Sequence, residues 1–292
     1  MRTERIPGCE NIHLIDVEMF DKRGAVSTYL ITGETTVLID TGSSTTAENL
    51  IAGIRDVGVD PQTLDFVLLS HLHLDHVGGV NKLAEVCPNA TFLTNGYVHD
   101  ALTDRSVLSD FLQRAEWVLG SVFEQYGSVD PISKSRFQVI QGGDRLVIGE
   151  HEFYVIDSPG HTTDHTAFYH VNSGCLYAGD ALGLTREQQL YPMSPPPYFD
   201  LEDNLETIEK LREREPETVL FAHYGVREEP TRVFDDYAGK LTNWVKRVDE
   251  ATSSPSEEQE LLRPGSLPPT KRDVLGAKLY LGKAEPPTDV PV

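Results

Sequence analysis

Ser70-His71-Leu72-His73-Leu74-Asp75-His76-Val77-Gly78-Gly79 places three imidazoles and one carboxylate within six positions. Those groups are the ligands that zinc and its neighbours take. The apolar run Phe66–Leu69 before them reads as a buried strand, and Gly78-Gly79 opens onto Val80–Val86, which reads as a helix. On a strand-to-helix loop, alternate side chains converge on one point. Three of the chain's ten histidines gathered there with an Asp predict a metal site rather than a chance cluster.

The elements that would position such a site repeat one pattern, a short apolar strand ending in a ligand and a Gly-rich turn. Ile12–Val17, Val26–Thr32 and Val37–Ile39 read as an antiparallel meander ending in Asp40-Thr41-Gly42. Thr46 is placed to cap a helix through Val57. A second meander, Phe137–Ile140, Arg145–Ile148 and Glu152–Ile156, ends in Pro159-Gly160-His161, with His165 four residues on. Cys175–Ala178 ends in Gly179-Asp180, and Thr218–Phe221 in Ala222-His223-Tyr224-Gly225. Each of these turns, taken alone, reads equally well as an ordinary structural turn.

Together, His-x-His-x-Asp-His, Pro-Gly-His, Gly-Asp and a last strand-end His resemble the metallo-β-lactamase superfamily over roughly residues 12 to 225. The resemblance implies an α+β fold, a four-layer αβ/βα sandwich. It also implies a site in which His71, His73 and His161 hold one metal, Asp75, His76 and His223 a second, and Asp180 bridges both. Asp40 would anchor His71 from behind through its other ring nitrogen. The implied cofactors are two divalent ions, zinc first, with manganese or iron suited to the same shell. Asp75 and Asp180 would be the catalytic carboxylates. Pro-Gly-His-Thr and the paired glycines are most similar to the glyoxalase II and lactonase branches. Lactonases carry a Tyr three residues after the bridging Asp, where this chain has Gly183, and glyoxalase II has Gly where this chain has Asp164.

Residues 98 to 126 read as helical, with Leu108, Phe111, Leu112, Ala115, Val118 and Leu119 on one apolar face. That stretch is expected as an insert, about 97–130, in a hydrolase domain over 1–250, either as core or as a lid. Tyr191-Pro-Met-Ser-Pro-Pro-Pro-Tyr198 cannot be helical and is a candidate pocket wall, offering Tyr191 and Tyr198 but neither Lys nor Arg. Tyr224, beside His223, is a candidate for holding a substrate carbonyl. Helices are expected over Leu201–Arg214 and Thr231–Val248. Residues 251–292 carry seven of the eighteen prolines and read as an acidic tail with one strand near Leu275–Leu281.

Composition narrows the partners. With 46 acidic against 25 basic residues and a net charge of −21, the chain has no basic surplus for a nucleic-acid backbone or an anionic membrane. Such a surface suits high salt, where self-repulsion is screened. Cys9, Cys87 and Cys175 are too scattered for a disulfide framework or a thiolate site and read as small buried hydrophobes. The first residues lack the apolar core of a signal peptide, and no apolar run nears the roughly twenty residues needed to cross a bilayer. A cytoplasmic chain follows as the expectation. Its partner would be a small-molecule acyl substrate, with a homodimer an allowed assembly.

The expected activity is metal-dependent hydrolysis of a thioester, lactone or ester by water activated between two ions. Two alternatives stay open on the same ligands. One is a phosphodiesterase or nuclease, which the acidity disfavours. The other is an iron-dependent oxygenase of the persulfide dioxygenase kind, which uses one iron.

Overall fold

The computed structural model describes residues 2–187, 189–251, 261, 270–288 and 290. Strands β1 (Arg2–Ile6), β2 (Cys9–Asp16), β3 (Ser27–Ile31) and β4 (Val37–Ile39) pair antiparallel in sequence order. Strands β5 (Phe66–Leu68), β6 (Thr91–Thr94) and β7 (Phe137–Val139) continue the same sheet in parallel. Parallel pairing requires crossovers. They are supplied by α1 (Ala47–Val57), by α2 (Leu74–Val77) with α3 (Val80–Val86), and by α4 (Gly96–Thr103) with α5 (Arg105–Leu119).

In the second sheet β8 (Arg145–Ile148), β9 (His151–Asp157), β10 (Thr166–His170) and β11 (Cys175–Gly179) run antiparallel. A separate hairpin, β12 (Leu184–Arg186) with β13 (Gln189–Tyr191), and helix α6 (Leu201–Arg212) then precede β14 (Thr218–Phe221), which lies parallel to β11. Strand β15 (Val226–Arg227) closes the edge, followed by α7 (Pro230–Ala251) and α8 (Lys271–Tyr280).

Burial explains why the central strands read as unbroken apolar runs. Along β3, Tyr29 and Ile31 pack between the sheets against Phe153, Phe168 and Tyr177. Leu30, between them, faces the helices with Leu38, Val67, Leu50 and Leu83. On the far side Leu176, Val219 and Phe221 pack on Ile208, Phe234, Leu241 and Trp244 of α6 and α7. Both faces of each sheet are therefore covered, as parallel pairing demands. The result is the expected four-layer αβ/βα sandwich, and all three cysteines are buried in it.

Four local expectations are corrected. The second meander is divided: β7 pairs with β6 in the first sheet, and the turn through Gly142-Gly143 carries the chain into the second. The helical stretch 98–126 breaks at Asp104, whose side chain caps α5, and ends in a 3-10 turn over Gly120–Tyr126. Thr46 precedes α1, but its hydroxyl bonds Ser43 rather than capping the helix. The strand expected near Leu275–Leu281 is the helix α8. A capping box of Thr270 with Asp273 starts that helix, and Val274 and Ala277 bury its inner face. The rest of the expected tail falls partly on residues 252–260 and 262–269, outside the described residues. No described helix is long and apolar enough to cross a membrane.

Candidate metal centre

The ligand candidates arrive on four loops, after β5, β9, β11 and β14, at one rim of the two sheets. His71, His73, His161 and Asp180 form one group, and Asp75, His76 and His223 a second, with the ligating atoms of each group within 4.8 Å of one another. His73 Nδ1 lies 2.9 Å from His71 Nε2 and 3.2 Å from His161 Nε2. Oδ2 of Asp180 lies 3.1 Å from His161 Nε2, 3.8 Å from His71 Nε2, 3.5 Å from His76 Nε2 and 3.4 Å from His223 Nε2. One carboxylate oxygen thus faces ligating nitrogens of both groups. All seven residues singled out in the sequence come together here.

The donor set fits divalent ions. His76 Nε2 and Asp180 Oδ1 are buried without a hydrogen-bond partner among the described residues. Leaving such atoms unmet costs about 1–3 kcal/mol each, and a cation between the groups would satisfy them.

The supports differ from expectation in one respect. Asp40 was expected behind His71; instead its Oδ2 lies 2.7 Å from His76 Nδ1. It reaches His71 only through Ser70, whose hydroxyl donates to Asp40 at 2.6 Å and lies 3.0 Å from His71 Nδ1. The Ser70 amide donates to the other Asp40 oxygen, and the Tyr177 phenol adds a fourth bond. Asp40 ends β4 with a positive φ of 58°. That conformation is uncommon outside glycine and well tolerated by Asp.

Two further ligand candidates, His223 and Asp180, are held by their neighbours. His223 donates from Nδ1 to the Ala25 carbonyl at 3.0 Å, freeing Nε2 for a metal. His165 accepts the Asp180 amide on Nε2 at 3.0 Å, while its Nδ1 meets the Ser158 hydroxyl at 2.7 Å. Gly179 makes room for that ring, since a Cβ there would sit 2.5 Å from His165 Nε2. Ser70, Tyr177 and His165 had no role in the sequence reading, because their partners are distant along the chain.

Burial and mutual repulsion divide the imidazoles. Burial, with His76 and His73 nearby, holds His71 well below its ordinary value, and burial beside His161 brings His73 down to about 3. Burial, the largest single influence on both, would lower His76 and His223 as well, but Asp180 leads the carboxylates that together outweigh it. With Asp40 adding to the pull Asp180 holds His76 well above the ordinary range, and with Asp75 it brings His223 to about 9. Burial would raise Asp180, yet His223, His76 and His161 keep it well below the carboxylate range. The imidazoles are thus ordered around the buried Asp180 carboxylate.

His73, Asp75, His161, Asp180 and His223 open into a cleft of about 520 Å³. The helical insert walls it with Tyr97, Phe111, Arg114 and Tyr126, the Pro-rich loop with Met193 and Tyr198, and α8 with Arg272. Of the three tyrosines proposed for substrate contact, Tyr198 alone lines this cleft. Tyr224 turns its hydroxyl to Glu4 at 3.1 Å and its ring to Gly24. Tyr191 points at Gln189 of its own hairpin. Gly183 is crowded by the Tyr191 carbonyl and the Tyr237 ring, at 2.3 and 2.4 Å from where a Cβ would lie, so a side chain has no room there. The pocket was also expected to lack fixed cations. The Pro-rich loop has none, but Lys22, Arg23, Arg114, Arg186 and Arg272 reach the cleft from other segments. Arg272 lies beside the Tyr126 phenol, which is near enough to Asp75 and Asp180 to feel their charge.

Comparison with known proteins agrees with this geometry. A metallo-beta-lactamase fold-containing protein of Sulfurisphaera tokodaii is 27% identical over 220 residues, spanning 75% of this chain and 80% of the relative. A hydroxyacylglutathione hydrolase of Klebsiella pneumoniae is 27% identical over 146 residues, spanning 50% of this chain and 42% of that enzyme. The crystal structure of a metallo-beta-lactamase family protein of Thermus thermophilus superposes with a TM-score of 0.72 at 20% identity, covering 95% of this chain and 94% of that one. The metallo-beta-lactamase superfamily profile itself matches residues 21–223, which include every ligand candidate. With that match and the four-layer sandwich on which the ligands are displayed, the chain belongs to the metallo-beta-lactamase superfamily.

Proposed function

We infer that the chain is a metal-dependent hydrolase acting on an acyl bond, a thioester, ester or lactone, with two divalent ions held by the seven clustered residues. The observation that carries this reading is the position of Asp180, one of whose oxygens faces both ligand groups. Two ions held there would supply water activated near neutral pH and a Lewis acid for the carbonyl oxygen. The shell is nitrogen and oxygen without sulfur, which suits zinc, manganese or iron, with zinc the first expectation.

The chain's own groups supply the rest. Asp75 lies in the cleft with Oδ2 3.6 Å from His223 Nε2, where a carboxylate can return a proton to a leaving group. The Tyr126 phenol, kept protonated by burial and by the charges of Asp75 and Asp180, is a donor at the same end. Met19, Leu72, Phe111, Val118 and Met193 give the cleft an apolar lining that excludes water from an acyl chain.

A second reading, phosphodiester hydrolysis, gains support from the guanidinium groups in the cleft, which can hold phosphate. Thioesters, lactones, aryl esters, β-lactams and phosphodiesters assayed on the zinc-loaded protein separate the two. Acyl substrates are expected to lead phosphodiesters in kcat/KM by at least about tenfold, about 1.4 kcal/mol of transition-state preference. A phosphodiester at the head of the series would overturn the acyl reading.

A further inference from the structure

Asp16 ends β2, is fully buried, and closes the loop that leads into β3. Its Oδ1 accepts the Glu18 amide at 3.0 Å and its Oδ2 the Gly24 amide at 2.9 Å. One carboxylate thus holds both ends of the span 18–24. An ion pair of Glu18 with Arg23, at 3.0 Å, crosses the same span. Within it Glu18, Phe20 and Asp21 take positive φ values of 51°, 56° and 56°.

Left-handed backbone is costly for residues with a Cβ and persists only where the surroundings hold it. A short glycine turn would join two antiparallel strands such as β2 and β3 without that cost. The strained span lies instead beside the metal centre. Met19, Phe20 and Gly24 line the cleft, and the Phe20 ring meets the Tyr126 ring edge to face, with centroids 5.3 Å apart. Ala25, next to the clamped Gly24, offers the carbonyl that accepts from His223 Nδ1 at 3.0 Å. The Ser27 amide donates to the Ala222 carbonyl at 2.8 Å, tying the start of β3 to the turn that carries His223. A buried carboxylate outside both ligand groups therefore stands behind a cleft wall and the support of a ligand candidate.

We propose that Asp16 is a positioning residue of this centre. By holding both ends of the span 18–24 it sets where Met19 and Phe20 stand in the cleft and where the Ala25 carbonyl meets His223. The effect on turnover rests on the acyl-hydrolase reading, while cleavage of the span and metal affinity test the proposal apart from it. A chain that hydrolyses nothing but shows the other two shifts would lose the hydrolase reading alone.

The test compares wild type with Asp16→Asn and Asp16→Ala. Asp65→Asn is the control, since Asp65 accepts the Thr36 amide at 2.8 Å in a different carboxylate-held turn. An amide side chain has one acceptor oxygen where a carboxylate has two, so Asp16→Asn frees one end of the span. Both Asp16 variants are expected to be cut by trypsin at the exposed Lys22 or Arg23 at least about tenfold faster, with cleavage elsewhere unchanged. In chelator competition one of the two zinc affinities should fall by about tenfold and the other stay within about twofold. At saturating zinc, KM should rise by about fivefold or more with kcat within about threefold of wild type. Asp65→Asn should leave all three readings near wild type. Unchanged cleavage at Lys22 and Arg23 in both Asp16 variants would overturn the proposal. So would faster cleavage with KM and both affinities unaltered, or the same three shifts in Asp65→Asn, which would mean general loosening. If Asp16→Ala does not fold, Asp16→Asn decides the matter.

Discussion

Oδ2 of Asp40 lies 2.7 Å from Nδ1 of His76, so the carboxylate ending β4 orients an imidazole 36 positions further on. The same oxygen takes the Ser70 hydroxyl, which in turn meets His71. One buried carboxylate thereby steers a ligand candidate of each group, one directly and one through a hydroxyl.

Asp40→Ala is expected to weaken metal binding by roughly 10–100-fold, more for the ion held by His76 than for the ion held by His71. Competition against a chromogenic chelator reads both affinities. The same change strands the Tyr177 hydroxyl and the Ser70 amide, so unfolding should become easier by about 1–3 kcal/mol. Two unchanged affinities would leave Asp40 a purely structural turn residue.

A second buried histidine pair, away from the metal centre, makes a prediction in pH. His170 meets His151 at 3.3 Å and the Ser173 hydroxyl at 2.7 Å, and His151 reaches the Thr35 carbonyl at 3.0 Å. Burial, with His151 adding to it, lowers His170 from 6.5 to about 4. The folded chain therefore binds this proton less readily than the unfolded chain. Its contribution is complete above pH 6.5, is lost as pH falls towards about 4, and levels off below that. The loss amounts to as much as about 3 kcal/mol. Denaturant melts of wild type and His170→Gln should diverge over that window, with wild type the more acid-sensitive. Parallel curves would contradict the assignment.

How far the site was legible follows from the kind of signal each residue gives. The seven ligand candidates stand at strand ends followed by turns, and the cluster from His71 to His76 was legible by itself. His161, Asp180, His223 and the four-layer sandwich were legible only through the resemblance of the motifs to the superfamily, with apolar runs such as Val37–Ile39 and Phe66–Leu68 fitting its strands. Asp40 was identified as a support but paired with the wrong imidazole, because which ring turns towards it depends on the path of the loop through Ser70. Arg114, Tyr126 and Arg272 carried no local signal. They become neighbours of the site only when the insert and α8 pack over the cleft. The helix α8 was mistaken for a strand although Thr270 and Asp273 spell a capping box, since a short apolar run fits both periods.

Asp273 ties α8 to the cleft wall. Its Oδ1 accepts the Ser194 amide at 3.0 Å, its Oδ2 the Thr270 amide and hydroxyl at 2.7 Å each, and Trp244 donates to the Ser194 hydroxyl at 2.8 Å. Asp273→Ala should remove both the cap and the link to the Pro-rich loop, costing about 1–3 kcal/mol. The expected signature is a raised KM with a smaller change in kcat, together with a shift in Trp244 emission. A variant with unaltered KM and emission would show that α8 does not shape the cleft.

The most direct measurement is the metal content of the purified chain, by elemental mass spectrometry, for wild type and Asp180→Asn. Asp180 faces both ligand groups, so wild type is expected to hold about two divalent ions per chain and to lose hydrolysis when they are chelated. Asp180→Asn should lose at least one ion and the activity with it. Two ions and full hydrolytic activity in Asp180→Asn, or full activity in a wild-type chain stripped of metal, would contradict the account.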